Sequence, residues 1–290
     1  MNSKRTAMCI ALALCLTARA GDLQKANDYL KQALQATDNA RRIELLHKSL
    51  AEQPSFAGHY QLGKALRDSG QFPGAVQEFR SALDLTGPSE KLDRAHALFQ
   101  IGATMAQQGN GAEGLTYMQY SLALEKHPAV EQAILRLQSQ LAGTIQPAAQ
   151  LERAFVAASR DLVLDDAAGS AATKVPIWIQ FEFDKADLTP QGIAQTIELG
   201  RAISSAALGR YRFRVVGHTD LFGAPEYNLA LSRRRAQTVT SYLAAQFHIS
   251  PDRLLPEGHG MDEPLVSKGP REEQAVNRRV EVIEVLPGKF

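Results

Sequence analysis

Two hydrophobic patterns divide the chain. From Val175 the chain contains short stretches in which apolar residues recur at every second position, whereas residues 21 to about 165 are rich in Ala, Leu and Gln and poor in β-branched residues. The first half therefore predicts helices throughout. In the second half Val175, Ile177, Ile179, Phe181 and Phe183 alternate strictly and predict a half-buried strand, with Pro176 marking an edge or end. Asp184 to Asp187 reads as a turn. Thr189 is placed to N-cap a helix that begins at Pro190 and carries Ile193, Ile197, Leu199 and Ile203. Tyr211, Phe213 and Val215 alternate in a second strand. A loop from Gly217 to Ala224 precedes a long helix from Pro225 to about Phe247. A weak strand follows near Leu254, then a short helix near Glu272–Ala275 and a last strand from Arg279 to Leu286. The order is β-α-β-α-β-α-β, or β-α-β-α-β-β with the short helix left aside. That predicts an α+β sandwich with helices on a mixed sheet.

The helical half has internal punctuation. Pro54, Pro88 and Pro128 stand 34 and 40 residues apart, at the expected ends of helical units. The clearest unit runs from Phe56 to Pro88. Gly63 would let two helices approach closely, Gly70 suits the turn between them, and Ala75, Phe79 and Ala82 form a stripe at spacings of four and three. This unit resembles a tetratricopeptide repeat (TPR). The next unit, with Ile101, Gly102, Met105, Gly109 and Met118, matches less well, since Gly114 stands where the pattern prefers alanine. Residues 23–54 read as a degenerate first repeat with Leu30 in the glycine position. About three repeats bury a continuous core. The resemblance implies a concave surface for a peptide or protein partner; a helical spacer without a partner is the plainer alternative. Helices around 130–141 and 148–162 are expected to cap the array. The small polar stretch at 166–174 reads as the linker between residues 21–165 and residues 175–290.

Composition changes this picture at the N-terminus. Lys4 and Arg5 precede an uncharged apolar run from Ala7 to Thr17, and Ala18-Arg19-Ala20 supplies small residues at the positions a signal peptidase reads. Residues 1–20 thus predict a secretory signal peptide, too short to span a membrane. A lipidation box ending at Cys15 fits poorly because Leu14 is bulky. Cleavage after Ala20 would remove Lys4, Arg5 and Arg19 and no acidic residue, taking the formal net charge from +1 to −2. It would also remove both cysteines, Cys9 and Cys15. A disulfide framework and a thiolate metal site are then excluded. The near-neutral charge gives no warrant for nucleic acid. The expected location is the periplasm.

The stretch from Gly217 to Ala236 carries the candidate chemistry. Asp220 lies just past a strand end and before a helix. Asn228, Ser232 and Arg235 lie at i, i+4 and i+7 and share one helix face. Asp220 and Arg235 could flank one pocket, the carboxylate accepting from an ammonium and the guanidinium holding a carboxylate in bidentate fashion. An amino-acid head group carries both charges. Mutual pairing of Asp220 with Arg235, or helix capping, is the plainer alternative, which spacing alone favours.

Several segments occur in order: Phe183 to Thr189, Gly217-His218-Thr219-Asp220 with Gly223, Tyr227-Asn228, Leu231-Ser232, Arg235-Ala236, Gly258-His259-Gly260 with Pro264, and Asn277-Arg278-Arg279-Val280-Glu281. Together they resemble the OmpA-like C-terminal domain of outer-membrane porin tails, peptidoglycan-associated lipoproteins and flagellar stator proteins. The resemblance implies non-covalent binding of peptidoglycan through the diaminopimelate of its stem peptide. Asp220 and Arg235 match the binding pair, Asn228 and Arg278 match positions lining the pocket, and Asp184 matches the loop beside it. Neither a barrel pattern nor a stator-type membrane helix precedes the domain.

Other chemistry finds little support. His218, Asp220, His259 and Asp262 contain metal-ligand types, but the two pairs are about forty residues apart, so no metal or other cofactor is expected. No Gly-x-Ser-x-Gly, phosphate loop or mature cysteine nucleophile points to an enzyme. Arg233 and Arg234 read as a solvated face. The expectation is a non-catalytic wall-binding protein whose repeats meet a protein partner. The alternative is a repeat-based adaptor of an envelope or secretion complex in which wall binding is secondary or lost.

Overall fold

The computed structural model describes residues 22–161 and 174–285. The expected signal peptide, and all of the expected linker except Lys174, lie outside the described residues. Eight helices come first: α1 over residues 22–35, α2 (Asn39–Glu52), α3 (Phe56–Asp68), α4 (Phe72–Asp84), α5 (Lys91–Gln107), α6 (Gly111–Leu124), α7 (Pro128–Ala142) and α8 (Ala148–Asp161). The chain divides into two compact units between Thr104 and Met105, inside α5.

The first unit consists of helical hairpins. Asp38 caps α2 by accepting from the Arg41 amide at 2.7 Å, and Ser55 caps α3 by accepting from Gly58 at 3.1 Å. A Cβ on Gly63 would come within 2.7 Å of the Phe79 ring, so only glycine lets α3 and α4 meet at this separation. Gly70 turns the chain between them at φ 73°, where other residues are strained. Leu62, Ala75, Phe79 and Ala82 are buried at the seam.

The second unit contains α6 to α8 and an α+β sandwich. Its later elements are β1 (Lys174–Ile177), α9 (Pro190–Ile203), β2 (Arg212–His218), α10 (Pro225–Phe247), β3 (Leu254–Gly260) and β4 (Val280–Val285), with 3-10 turns at Pro251–Arg253 and Glu273–Asn277. The sheet order is β1-β4-β2-β3. β2 and β3 are parallel, and the other two pairs are antiparallel. Val175, Ile177, Phe213, Val215, Val280 and Val282 put one face of the sheet into the core with α9 and α10. Strand alternation sends Lys174, Arg214, His218 and Glu281 to the other face.

Two expectations change. The alternation from Val175 to Phe183 does not form one long strand. Regular pairing stops at Ile177, and Phe181 makes only an isolated bridge to Leu188. The Glu182 amide donates to the Asp187 carbonyl at 2.8 Å and Asp184 takes φ 58°, so a tight hairpin leaves Phe183 82% exposed. The second change concerns α8, which was expected to cap the repeats. Instead Leu151, Ala154 and Phe155 join the core of the sandwich, with Ala112 of α6. The Phe155 and Phe213 rings meet edge-on at 5.4 Å. Glu198 of α9 accepts from the Ala148 amide at 2.7 Å, satisfying the first turn of α8. Leu151, Ala154, Phe155 and Ala158 share one buried face of α8, and a stripe of this kind does not by itself name its partner. The second unit thus includes α6 to α8, which the sequence reading grouped with the repeats. Among the described residues no helix is long and apolar enough to cross a membrane.

Candidate functional site

The site forms where β2 ends and α10 begins. Gly217 of β2 and Gly258 of β3 lie under α10. A Cβ on Gly217 would come within 2.3 Å of the Ser232 carbonyl oxygen, and one on Gly258 within 2.5 Å of the Arg233 nitrogen. These glycines let the helix backbone rest directly on the strands. Ser232 seals the seam by accepting from the Gly260 amide at 2.9 Å. The register between β2 and β3 shifts at Gly217/His218, and the irregularity redirects the chain into the Thr219–Ala224 loop.

Asp184, Asp220, Asn228, Arg235 and Arg278 all line one cleft of about 600 Å³. Trp178, Phe181, Phe222, Tyr227 and Arg271 complete much of its wall. Ser232, on the same helix face as Asn228 and Arg235, belongs to the seam instead.

Asp220 does not pair with Arg235. Its Oδ2 accepts from Arg278 Nη1 at 2.9 Å, and its Oδ1 accepts from the Phe222 amide at 3.2 Å. Asn228 Nδ2 donates to the Phe222 carbonyl at 2.9 Å and fixes the loop to the helix. Asp184 Oδ1 accepts from the Tyr227 hydroxyl at 2.7 Å, a bond that raises the Tyr227 phenol above its ordinary pKa.

Arg235 is only 7% exposed. Its Nε donates to the Lys185 carbonyl at 3.0 Å and its guanidinium lies over the Phe181 ring at 5.0 Å. Among the described residues no carboxylate pairs with it. Burial, followed by repulsion from Arg278, lowers its pKa from the usual value, while Asp220 and Asp184 pull the other way. An arginine nevertheless stays protonated. The cleft therefore holds a desolvated cation with both Nη groups available, beside a carboxylate whose own partner, Arg278, is 40% exposed. Such an arrangement can take a carboxylate at Arg235 and an ammonium at Asp220.

The face of the sheet away from the core holds a second cluster. Arg279 donates to Glu281 Oε1 from Nε at 2.8 Å and from Nη2 at 2.5 Å. Lys174 Nζ lies 3.3 Å from Glu281 Oε2, and His218 Nε2 lies 3.5 Å from it. Burial would raise the Glu281 carboxyl, but His218, Arg279 and Lys174 outweigh it and hold the group well below the carboxylate range. The His218 and His259 rings meet edge-on at 5.5 Å, although forty residues separate them. Among the described residues no group of three or more His, Cys, Asp or Glu is placed to hold a metal.

Sequence reasoning did not single out Arg271, Phe222, Trp178 or Gln274. Gln274 is buried and accepts from the Leu221 amide at 3.1 Å, tying the 3-10 turn to the Asp220 loop. No local pattern marks these residues, because their roles arise from the packing of two loops far apart in sequence.

Residues 180–278 match the model of the OmpA family, and this segment is an OmpA-like domain. The chain is 39% identical over 105 residues to outer membrane protein A of Bordetella avium, covering 35% of this chain and 51% of that protein. It is 34% identical over 112 residues to a peptidoglycan-associated lipoprotein of Pseudomonas aeruginosa, covering 39% of this chain and 64% of that protein. The chain thus spans about half to two thirds of the length of these curated relatives. Among solved structures, the peptidoglycan-associated lipoprotein from Burkholderia pseudomallei is similar at 23% identity, with a TM-score of 0.34 over 37% of this chain and 88% of that chain.

Proposed function

We propose that this chain is a non-catalytic, exported protein that docks on peptidoglycan through the amino-acid head group of diaminopimelate. The carrying observation is Arg235, a guanidinium 7% exposed, facing a cleft and lacking a carboxylate partner among the described residues. A buried charge without a counterion is costly, so the site is suited to a ligand that brings one. Asp220 supplies the complementary charge for the ammonium. Its partner Arg278 is 40% exposed, so water can take over that guanidinium when the ligand ammonium replaces it at Asp220. The likeness of residues 180–278 to the OmpA family, and to a relative named as peptidoglycan-associated, supports the same reading. The charge–apolar–small order of residues 1–20 supports export to the periplasm.

The test is co-sedimentation with purified sacculi. Wild type is expected in the pellet, and Asp220→Ala and Arg235→Ala in the supernatant, each with a native circular dichroism spectrum. Equal pelleting of all three would overturn the assignment. Release of soluble muropeptides by the wild type would overturn the non-catalytic reading.

The helical hairpins of residues 22–104, with Gly63 and Gly70 at the close approach and the turn, favour a TPR-like surface for a protein partner. An envelope adaptor in which that surface dominates would keep its protein complex when Arg235 is replaced and lose it when residues 22–104 are removed.

A further inference from the structure

An amino-acid head group would fill only part of a cleft of about 600 Å³, and the remaining wall carries another cation. Arg271 lines the same cleft, with its guanidinium over the Phe222 ring at 4.8 Å. Phe222 is held by the site itself, because its amide donates to Asp220 Oδ1 at 3.2 Å and its carbonyl accepts from Asn228 Nδ2 at 2.9 Å. The segment carrying Arg271 is fixed from the other side. Gln274 Nε2 donates to the Gly269 carbonyl at 3.0 Å, and Gln274 Oε1 accepts from the Leu221 amide at 3.1 Å. Among the described residues Arg271 has no ion pair. Stacking on an aromatic ring leaves the edge of a guanidinium, with its forked N–H groups, free to receive a carboxylate.

We infer that Arg271 is a specificity residue for a second carboxylate, carried by the ligand next to its zwitterionic head group. This inference rests on the head-group reading above. The cleft would then select an acidic peptide, and a free amino acid would bind weakly. Two groups of a stem peptide offer that chemistry: the free α-carboxylate of a γ-linked glutamate preceding diaminopimelate, and a terminal carboxylate at the peptide-bond end of the diaminopimelate.

The two sources separate by calorimetry on the full chain. The probe is the tripeptide L-Ala-γ-D-Glu-meso-diaminopimelate, used unmodified, amidated at the glutamate α-carboxylate, or amidated at the terminal carboxylate, always with the head group free. One of the two amidations should weaken wild-type binding about three- to tenfold, the worth of a charge-assisted hydrogen bond at a half-wet rim. The same amidation should leave Arg271→Ala unchanged, because the group it removes no longer has its partner. Equal loss in wild type and variant, or no loss from either amidation, would overturn the role of Arg271. Tight binding of the unmodified peptide by Asp220→Ala would overturn the head-group reading while leaving the Arg271 comparison valid. Failure of the wild type to bind any of the peptides would overturn both.

Discussion

Arg278 donates to Asp220 at 2.9 Å across the mouth of the cleft, and this pair leaves Arg235 deeper inside without a carboxylate among the described residues. The asymmetry separates the two arginines by what their removal should do. Arg235→Met should abolish sacculus binding while leaving the unfolding free energy within about 1 kcal/mol of wild type or raising it, since an uncompensated buried charge is replaced by an apolar side chain. Arg235→Lys should not restore binding, because an ammonium cannot form the forked contact. Thermal unfolding and co-sedimentation check both. A large loss of stability in Arg235→Met would mean that the residue is structural.

The seam under α10 depends on glycine. Gly217→Ala and Gly258→Ala place a methyl 2.3 Å and 2.5 Å from helix backbone atoms, which cannot move independently of the helix. Each should cost about 1–3 kcal/mol and weaken wall binding as well, because α10 carries Asn228 and Arg235. Gly74→Ala is the control. It lies in α4 with its nearest contact at 3.5 Å, and should stabilise its helix by up to about 1 kcal/mol. Denaturant midpoints of the three variants decide the matter.

Phe155 lies outside the segment matched by the family model yet is fully buried against Phe213. Phe155→Ala should cost about 3–5 kcal/mol of the stability of the second unit. Correspondingly, a fragment starting at residue 174 should melt well below one starting at residue 105, as judged by circular dichroism. Equal melting of the two fragments would show that α8 is dispensable.

Glu281 predicts an acid-sensitive term. Its folded carboxyl titrates below the usual range, and an unfolded one near about 4.3. The stabilisation is therefore fully present above the unfolded value and is lost as pH falls from about 5 toward the folded value. Glu281→Gln should be destabilised by about 3–5 kcal/mol at neutral pH, where buried Arg279 loses its counterion while Lys174 keeps Glu263, and by less at pH 4. Urea titrations at the two pH values give the comparison. An offset independent of pH would remove Glu281 as its source.

Much of the second half was legible because its signals are local. The cap at Thr189 before Pro190 follows the backbone chemistry of one helical turn, and the structure has Thr189 Oγ1 accepting from the Gly192 amide at 3.1 Å. The long helix from Pro225 to Phe247 was readable for the same reason. Phe183 was misplaced because alternation continues through the hairpin in sequence while the backbone reverses. The five predicted site residues do line one cleft, but the partner of Asp220 was not deducible. Spacing offered Arg235, and the ion pair instead goes to Arg278, fifty-eight residues away.

The sequence by itself determined the helical first half, the order of strands and helices in the second, and which charged residues stand at element ends. These follow from periodicity and capping, which act within a few residues. Only the tertiary structure decided that α8 covers Phe213, that His218 meets His259, that Arg271 reaches the cleft over Phe222, and that Arg235 is buried without a carboxylate partner among the described residues. Those relationships depend on which surfaces exclude water together, and that is set by packing of the whole second unit.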